Sequence, residues 1–390
     1  SATQGGEFVL RSHALEIAKR MGYDTNNYDL DVVEYRGGPG SFGGLGYVGG
    51  KGVWVKTSAI GVLAHELGHN LGLWHSNYWQ TNPPSLIGPG NNLEYGNIFD
   101  VMGNSGSMGH YVAPHKAILG WITTDAYHRV YANGTYRIYQ TDQGQADSDK
   151  RYALAVNKDS EREYWLDFRQ GFPGIPSLAS GVMVMWSPWG SGSADNSPFG
   201  SNGGAQFLDM SPGSGSMTDT RNDGGFPLGK TFSDTEADLH ITPIVKSNTS
   251  PPYVDVVVNR GPFTTNQAPS LSISGTTTTT SFNRTGTYAA SSVDPDGDAV
   301  AFHWDFGDGS FSTNNAASQS HTWTNDGKYR VTCTASDMKG KRTTRAMLVS
   351  VGIDNTVFTA SGVVRDSVGS PIEGVLMTNS PLTSAPGKTG

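Results

Sequence analysis

The stretch Leu63–Ser76, LAHELGHNLGLWHS, sets three of the chain's ten histidines beside one glutamate. Read as a helix at about 100° per residue with Ile60 as origin, Leu63, Ala64, Leu67 and Leu71 fall within about 60° of one another's mean and form an apolar stripe. His65 and His69 fall at about 140° and 180°, one turn apart on the opposite side, so both imidazoles can reach one ion. Glu66 falls near 240°, beside the ligands, placed to touch a metal-bound water more readily than the metal. Gly72 tolerates the positive φ that ends a helix, and the reversal lets His75 return as a third ligand. Three neutral histidines leave zinc its full charge and an open fourth position, which lowers the pKa of bound water to about 7. Glu66 would accept the proton from that water and hand it to a leaving amine. The chemistry implied by these residue types is hydrolysis.

The elements that must hold this stretch follow from the flanking patterns. Residues 6–22 carry Phe8, Leu15, Ala18 and Met21 near helical spacing and stop at Gly22, while Leu30–Tyr35 and Val53–Val55 read as strands. The motif itself lies on a helix over residues 58–73, and helical signal is nearly absent after Trp121. From 126 to about 260, short alternating runs (RYALAV, EYWLDF, GVMVMW, LHITPIV, YVDVVV) between turn clusters predict a β-sandwich or barrel. Ser187–Gly225 reads as a long polar loop or flexible insertion, and Asn259–Ser270 as a linker. A second all-β unit follows, and a fragment of a third begins near 355, as if the natural chain continued past residue 390. The expected division is 1–125, 126–262, 263–352 and 353–390.

Composition narrows the class. Of 390 residues only 16 % are charged and 51 are glycine, a mixture suited to turn-rich extracellular modules. A net charge of −8 with no basic stripe argues against a nucleic-acid partner; the short cluster Lys339–Arg345 reads as a solvated hairpin. The single Cys333 excludes an intrachain disulfide and alternates with apolar positions, as a buried small hydrophobe would. No run approaches the ~20 apolar residues of a membrane span. The first residues, SATQGGEFVL, lack the features of a signal peptide, so for a secreted protein the signal is expected to have been removed. The sequons at Asn133, Asn248 and Asn283 would matter only in a eukaryotic secretory pathway.

His65-Glu66-Leu67-Gly68-His69-Asn70-Leu71-Gly72-Leu73-Trp74-His75 matches the metzincin pattern H-E-x-x-H-x-x-G-x-x-H. Downstream, Asp100-Val101-Met102-Gly103 resembles the Met-turn, and HYVAPHKAILGW, ending at Trp121, is similar to the segment that follows it in gametolysin-like metzincins. The resemblance covers residues 1–125 most fully and runs on to about 260. It implies an α+β catalytic domain followed by all-β sandwich modules, with zinc on His65, His69 and His75, Glu66 as general base and acid, and Met102 beneath the histidines. Tyr111 aligns with a tyrosine that could lie near the metal, and the expected role is to stabilise the oxyanion or act as a switchable fifth ligand; a packing role is the alternative. His110 and His115 are not counted as ligands, because the set is already complete. One departure is the start close to the first helix, where the strand expected before it is missing, trimmed or unrecognised. No cysteine precedes the motif, so these residues hold no cysteine-switch latch. The implied activity is a secreted zinc endopeptidase that cleaves extracellular proteins or glycoproteins by Glu-assisted attack of zinc-bound water. The alternative is a surface adhesin or carbohydrate-binding protein with a vestigial zinc domain, and the intact Glu66 beside an open ligand position favours the enzyme.

Gly44-Leu45-Gly46-Tyr47-Val48-Gly49 spells G-x-G-x-x-G, but it leads into the strand Val53–Val55 instead of a helix, so it is no dinucleotide site. It reads as a lead into an edge strand above the cleft, able to pair with an extended peptide. In the second β-unit, WDFGDG with DPDGD resembles a polycystic-kidney-disease (PKD) domain, implying Trp304 and Tyr329 as core residues and Gly307 and Gly309 as turn positions. Asp294, Asp296 and Asp298 could offer oxygen ligands to calcium, or form a metal-free turn. The last segment, ASGVVRDSVGSPIEGVLMTN, resembles the opening strands of a carboxypeptidase-regulatory-like repeat. Expected partners are a protein or glycoprotein substrate and a matrix or cell-wall polymer held by the β-modules, with no nucleic acid and no membrane span.

Overall fold

The computed structural model describes residues 6–37, 42–82, 84–104, 109–142, 147–160, 162–171, 181–188, 205–212, 224–352 and 364–371. Helix α1 spans Gly6–Arg20, and strands β1 (Val32–Glu34), β2 (Gly44–Gly46) and β3 (Val53–Val55) form a sheet in the order β1-β3-β2. The β-branched run of β3 is central and buried; β1 lies parallel to it and β2 antiparallel. Trp54 ties α1 to this sheet, its Nε1–H donating to Glu7 O at 2.6 Å. The glycine-rich stretch therefore does not lead into the edge strand as expected. Gly44–Gly46 is itself the edge, and Val53–Val55 is the middle of the sheet.

Helix α2, Ile60–Asn70, carries the histidine motif. Its end follows the sequence expectation closely. Gly72 has φ +92°, Gly72 N–H donates to His69 O at 2.8 Å, and Leu73 N–H donates to Gly68 O at 3.0 Å. That pair of bonds is a Schellman stop, which satisfies the last carbonyls of the helix. The apolar stripe is only partly covered, with Ile60 73 % and Leu71 47 % exposed, whereas Glu66, Gly68, His69 and Asn70 are buried. The inversion has a cause: β2 and the loop around Met102 both close on the ligand side of α2.

After α2 the chain enters a β-sandwich. Strands β4 (Asn77–Thr81), β5 (Gly90–Leu93), β6 (His128–Val130), β7 (Gly134–Tyr139), β8 (Ala153–Asn157), β9 (Arg162–Asp167), β10 (Gly181–Pro188), β11 (Gln206–Phe207) and β12 (Phe226–Pro227) precede β13 (Phe232–Asp234), β14 (Leu239–Ser247) and β15 (Tyr253–Arg260). One sheet runs β5-β4-β11-β10-β9-β8-β6, with β12 also paired to β10; the other runs β13-β14-β15-β7. Between them lies a core that includes Trp79, Leu154, Val156, Val184, Trp186 and Val256. The opposite face of the larger sheet (Tyr78, Ala153, Ala155, Trp165, Met183, Met185, Phe207) packs on Phe99, Val112 and Ala113. Burial on both faces explains why GVMVMW reads as a continuous apolar run. Helix α3, Ala113–Ile118, covers this second face.

Two expectations need correction here. The boundary at residue 125 cuts through a sheet, since β4 and β5 pair into the sandwich through β11. The polar insertion Ser187–Gly225 contains a core strand: Ala205, Gln206, Phe207, Leu208 and Met210 are buried. The remainder of that insertion lies largely outside the described residues.

The second β-unit has sheets β16-β17-β19 (Ser272–Gly275, Thr285–Ser291, Ser318–Thr322) and β18-β20-β21 (Ala301–Asp305, Gly327–Ser336, Arg342–Val351). Trp304 and Cys333 are in its core, Tyr329 packs against it, and Gly307 and Gly309 take φ of +81° and +88°. Asn259 to Ser270 is no free linker. Asn259 Nδ2 donates to Met338 O at 2.8 Å and Asn266 Nδ2 to Asp337 Oδ2 at 2.7 Å, clamping the two β-units together. Of the final module only residues 364–371 are described, around a bridge between Arg365 and Pro371. No helix among the described residues is long and apolar enough to cross a membrane.

Candidate metal centre

The three motif histidines converge. Their candidate ligand atoms all lie within 4.8 Å of one another, the one such cluster of three or more His, Cys, Asp or Glu among the described residues. Each ring is oriented by a different partner at its Nδ1. His65 donates Nδ1–H to Val101 O at 2.8 Å, His69 to Leu73 O at 2.8 Å, and His75 to Glu94 Oε1 at 2.7 Å. Acceptors at every Nδ1 fix the tautomer and leave each Nε2 lone pair free, the outer-shell arrangement of metal-binding histidines. Leu73 O reaches His69 because the Schellman reversal at Gly72 turns the chain back over the helix end.

The donor set suits zinc. His69 Nε2 and His75 Nε2 are 3.2 Å apart, and two nitrogens bound at 2.0–2.1 Å in a tetrahedral site stand about 3.3 Å from each other. Burial lowers all three histidine pKa values, that of His69 to about 4, so the rings are neutral at pH 7 and available as ligands. Glu66, 6 % exposed, has its pKa raised to about 7 by burial. Among the described residues no cation is paired with it, and its carboxylate rests on β2. A Cβ on Gly44 would stand 2.5 Å from Glu66 Oε1, so glycine there gives the carboxylate its place.

Beneath the centre, a Cβ on Gly68 would lie 2.4 Å from Met102 Sδ, which puts the fully buried Met102 directly under α2. Asp100 builds this loop: Oδ1 accepts Met102 N–H at 2.7 Å and Oδ2 accepts Val112 N–H at 3.1 Å. Its carboxyl is held below the usual range: burial alone would raise it, and is outweighed by His115, which lies 3.0 Å away, and by Met102 N–H and Arg169. The ligand cluster does not include His110 or His115.

Tyr111 is not brought to the cleft. Its hydroxyl donates to Ala64 O at 2.7 Å, beside Gly68 and Met102, and its ring packs edge-on against Trp121. The tyrosine that lines the cleft is Tyr95, with its ring 3.9 Å from that of His75 and 5.7 Å from that of His65. Tyr95 holds φ +60°, an uncommon conformation for a bulky residue, and its N–H donates to Asn77 Oδ1 at 3.0 Å. Together with His65 and Glu66, the cleft of about 320 Å³ is bordered by Phe42, Val62, Val101 and Asn104. Sequence reasoning passed over Glu94, Tyr95 and Asn70, whose Nδ2 donates to Tyr47 O and Gly52 O at 2.9 and 3.1 Å. Asn70 had a local signal, a polar residue continuing the ligand side of α2. Glu94 and Tyr95 had none, because a hairpin carries them in.

Among the described residues, Asp294, Asp296 and Asp298 do not form a cluster of three ligand atoms. Asp294 Oδ1 caps the backbone N–H groups of Asp296 and Asp298, Asp296 accepts Gln267 N–H at 2.7 Å, and Asp298 pairs with Lys339 at 2.5 Å. These bonds hold the turn together and direct Asp296 and Asp298 to separate partners, while Asp294 Oδ2 is buried without a hydrogen-bond partner.

Comparison with known families agrees with this geometry. The sequence model of the family described as gametolysin peptidase M11 matches residues 32–164, and that of the PKD domain matches residues 266–351. No curated protein matches the chain. Among solved structures, the PKD1 domain of Vibrio anguillarum Epp is similar at 31 % identity, covering 23 % of this chain and 98 % of that one, with a TM-score of 0.20. The PKD1 domain from Vibrio cholerae metalloprotease PrtV is similar at 29 % identity, covering 22 % and 100 %, also at 0.20.

Proposed function

Because the chain carries a gametolysin peptidase M11 domain followed by a PKD domain, we propose that it is a secreted zinc endopeptidase acting on extracellular proteins or glycoproteins. The observation that carries this reading is three imidazoles with every Nδ1 satisfied, their Nε2 atoms facing one point beside Glu66 and an accessible cleft. His65, His69 and His75 would hold the ion. When bound, zinc supplies a Lewis acid that polarises a peptide carbonyl and acidifies water.

The chain's own residues do the rest. Glu66, on the cleft side of α2, takes a proton from water on its carboxylate and delivers it to the departing amine nitrogen. Gly44–Gly46 offers a strand edge unpaired among the described residues, on which an extended peptide can add as a further strand. That pairing would lay the scissile bond over Glu66, whose carboxylate packs on Gly44. Tyr95, packed on His75, borders the same space and would contact substrate.

Incubating the full chain with a generic protein substrate and a mixed peptide library tests the reading. Internal cleavage that stops with a chelator and returns with zinc is expected. Absence of cleavage by zinc-loaded protein would reject it, and the cleavage sites would define the side-chain preference.

A further inference from the structure

The sandwich reaches the metal centre by two routes. The first is a buried ion pair at the end of β9. Arg169 and Asp167 are both fully buried, 3.1 Å apart. Arg169 Nη1 donates to Phe99 O at 2.7 Å and to His110 O at 3.3 Å, thereby holding both ends of the loop that contains Met102. Asp167 Oδ2 accepts Ala113 N–H at 3.1 Å at the start of α3. Between those anchors, Val101 O accepts the Nδ1–H of His65. The second route is backbone pairing. Asn77 N–H donates to Ala205 O at 2.8 Å where β4 joins β11, and the same Asn77 receives Tyr95 N–H, next to Glu94, the partner of His75.

We propose that Arg169, with Asp167, is a positioning residue for the metal centre, so that the β-sandwich is part of the catalytic unit instead of an accessory module. This rests on the zinc reading above. The acceptor for His65 is a loop carbonyl whose placement is set by a guanidinium from another layer of the fold. A buried guanidinium binds two carbonyls and a carboxylate from donors spread over a rigid planar fork, whereas the three donors of a lysine radiate from a single nitrogen and do not reproduce that spacing. Loss of such outer-shell support typically costs 10- to 100-fold in metal affinity or activity.

The test uses the full chain carrying Arg169→Lys, which keeps the charge beside Asp167. Zinc affinity by chelator competition should weaken by ~10- to 100-fold. The visible spectrum of the cobalt-substituted protein should change, and kcat should fall with KM little altered. A folded variant with wild-type zinc affinity and cobalt spectrum would overturn the proposal. If the variant does not fold, hydrogen exchange of the wild-type chain decides. Adding zinc alone to metal-free protein should slow exchange of the Ala113 amide, which Asp167 accepts, and unchanged exchange there would also overturn it. Because zinc binding and exchange need no substrate, these results stand or fall separately from peptidase activity.

Discussion

At the scale of residues, the site is defined as much by what holds the histidines as by the histidines. Each ring spends its Nδ1 on a partner from a different place: a loop carbonyl, the helix's own turned-back end, and the Glu94 carboxylate. Tyr111, placed at the metal by family resemblance, instead binds Ala64 O. Tyr111→Phe is therefore expected to lower stability by about 1 kcal/mol, measured by denaturant unfolding, and to leave kcat nearly unchanged. A hundredfold loss of kcat with zinc retained would return Tyr111 to the chemistry. The ligands and Glu66 were legible because they sit within one helix and its turn. Glu94 and Tyr95 were not, since only a hairpin from another sheet brings them to His75.

At the scale of elements, α2 is a helix whose polar side is its buried side. Hydropathy places the helix and its Gly72 stop, but the sequence does not say that β2 and the Met102 loop close over the ligand side and leave the apolar stripe partly exposed. Close approach explains Gly68, where an added methyl would collide with Met102 Sδ at 2.4 Å. Gly68→Ala should destabilise the fold by about 1–3 kcal/mol through overpacking, seen as a lower melting temperature. An unchanged melting temperature would mean that Met102 is not seated under the helix. The edge-strand reading of the glycine-rich stretch was right in kind and shifted in place, since three residues of mostly glycine carry no strand signal of their own.

At the scale of the whole molecule, domain boundaries were the least legible feature. Helical signal fades after Trp121, yet the larger sheet takes strands from both sides of residue 125. Pairing between β4 and β11 joins residues too far apart in the chain for periodicity to register. The PKD unit was legible from its WDFGDG run, but its docking was not. His303 Nδ1–H donates to Leu228 O at 3.2 Å across that junction, and burial, with Lys230 adding, pushes its pKa down to about 4. In the unfolded chain the group titrates near 6.5. The folded state thus binds the proton less readily, so the stability this group leaves intact above pH 6.5 is lost as pH falls toward 4. The slope is at most about 1.4 kcal/mol per pH unit. His303→Gln should flatten the fall in melting temperature between pH 6.5 and 4; an identical slope in both proteins would exclude His303 as its source.

The most direct measurement compares wild type with Glu66→Gln at equal, verified zinc content on a peptide known to be cleaved by the wild type. On the proposed mechanism Glu66 moves the proton and does not hold the ion, so kcat should fall by about 10²- to 10⁴-fold while zinc affinity stays the same. Equal rates in the two proteins would contradict the account.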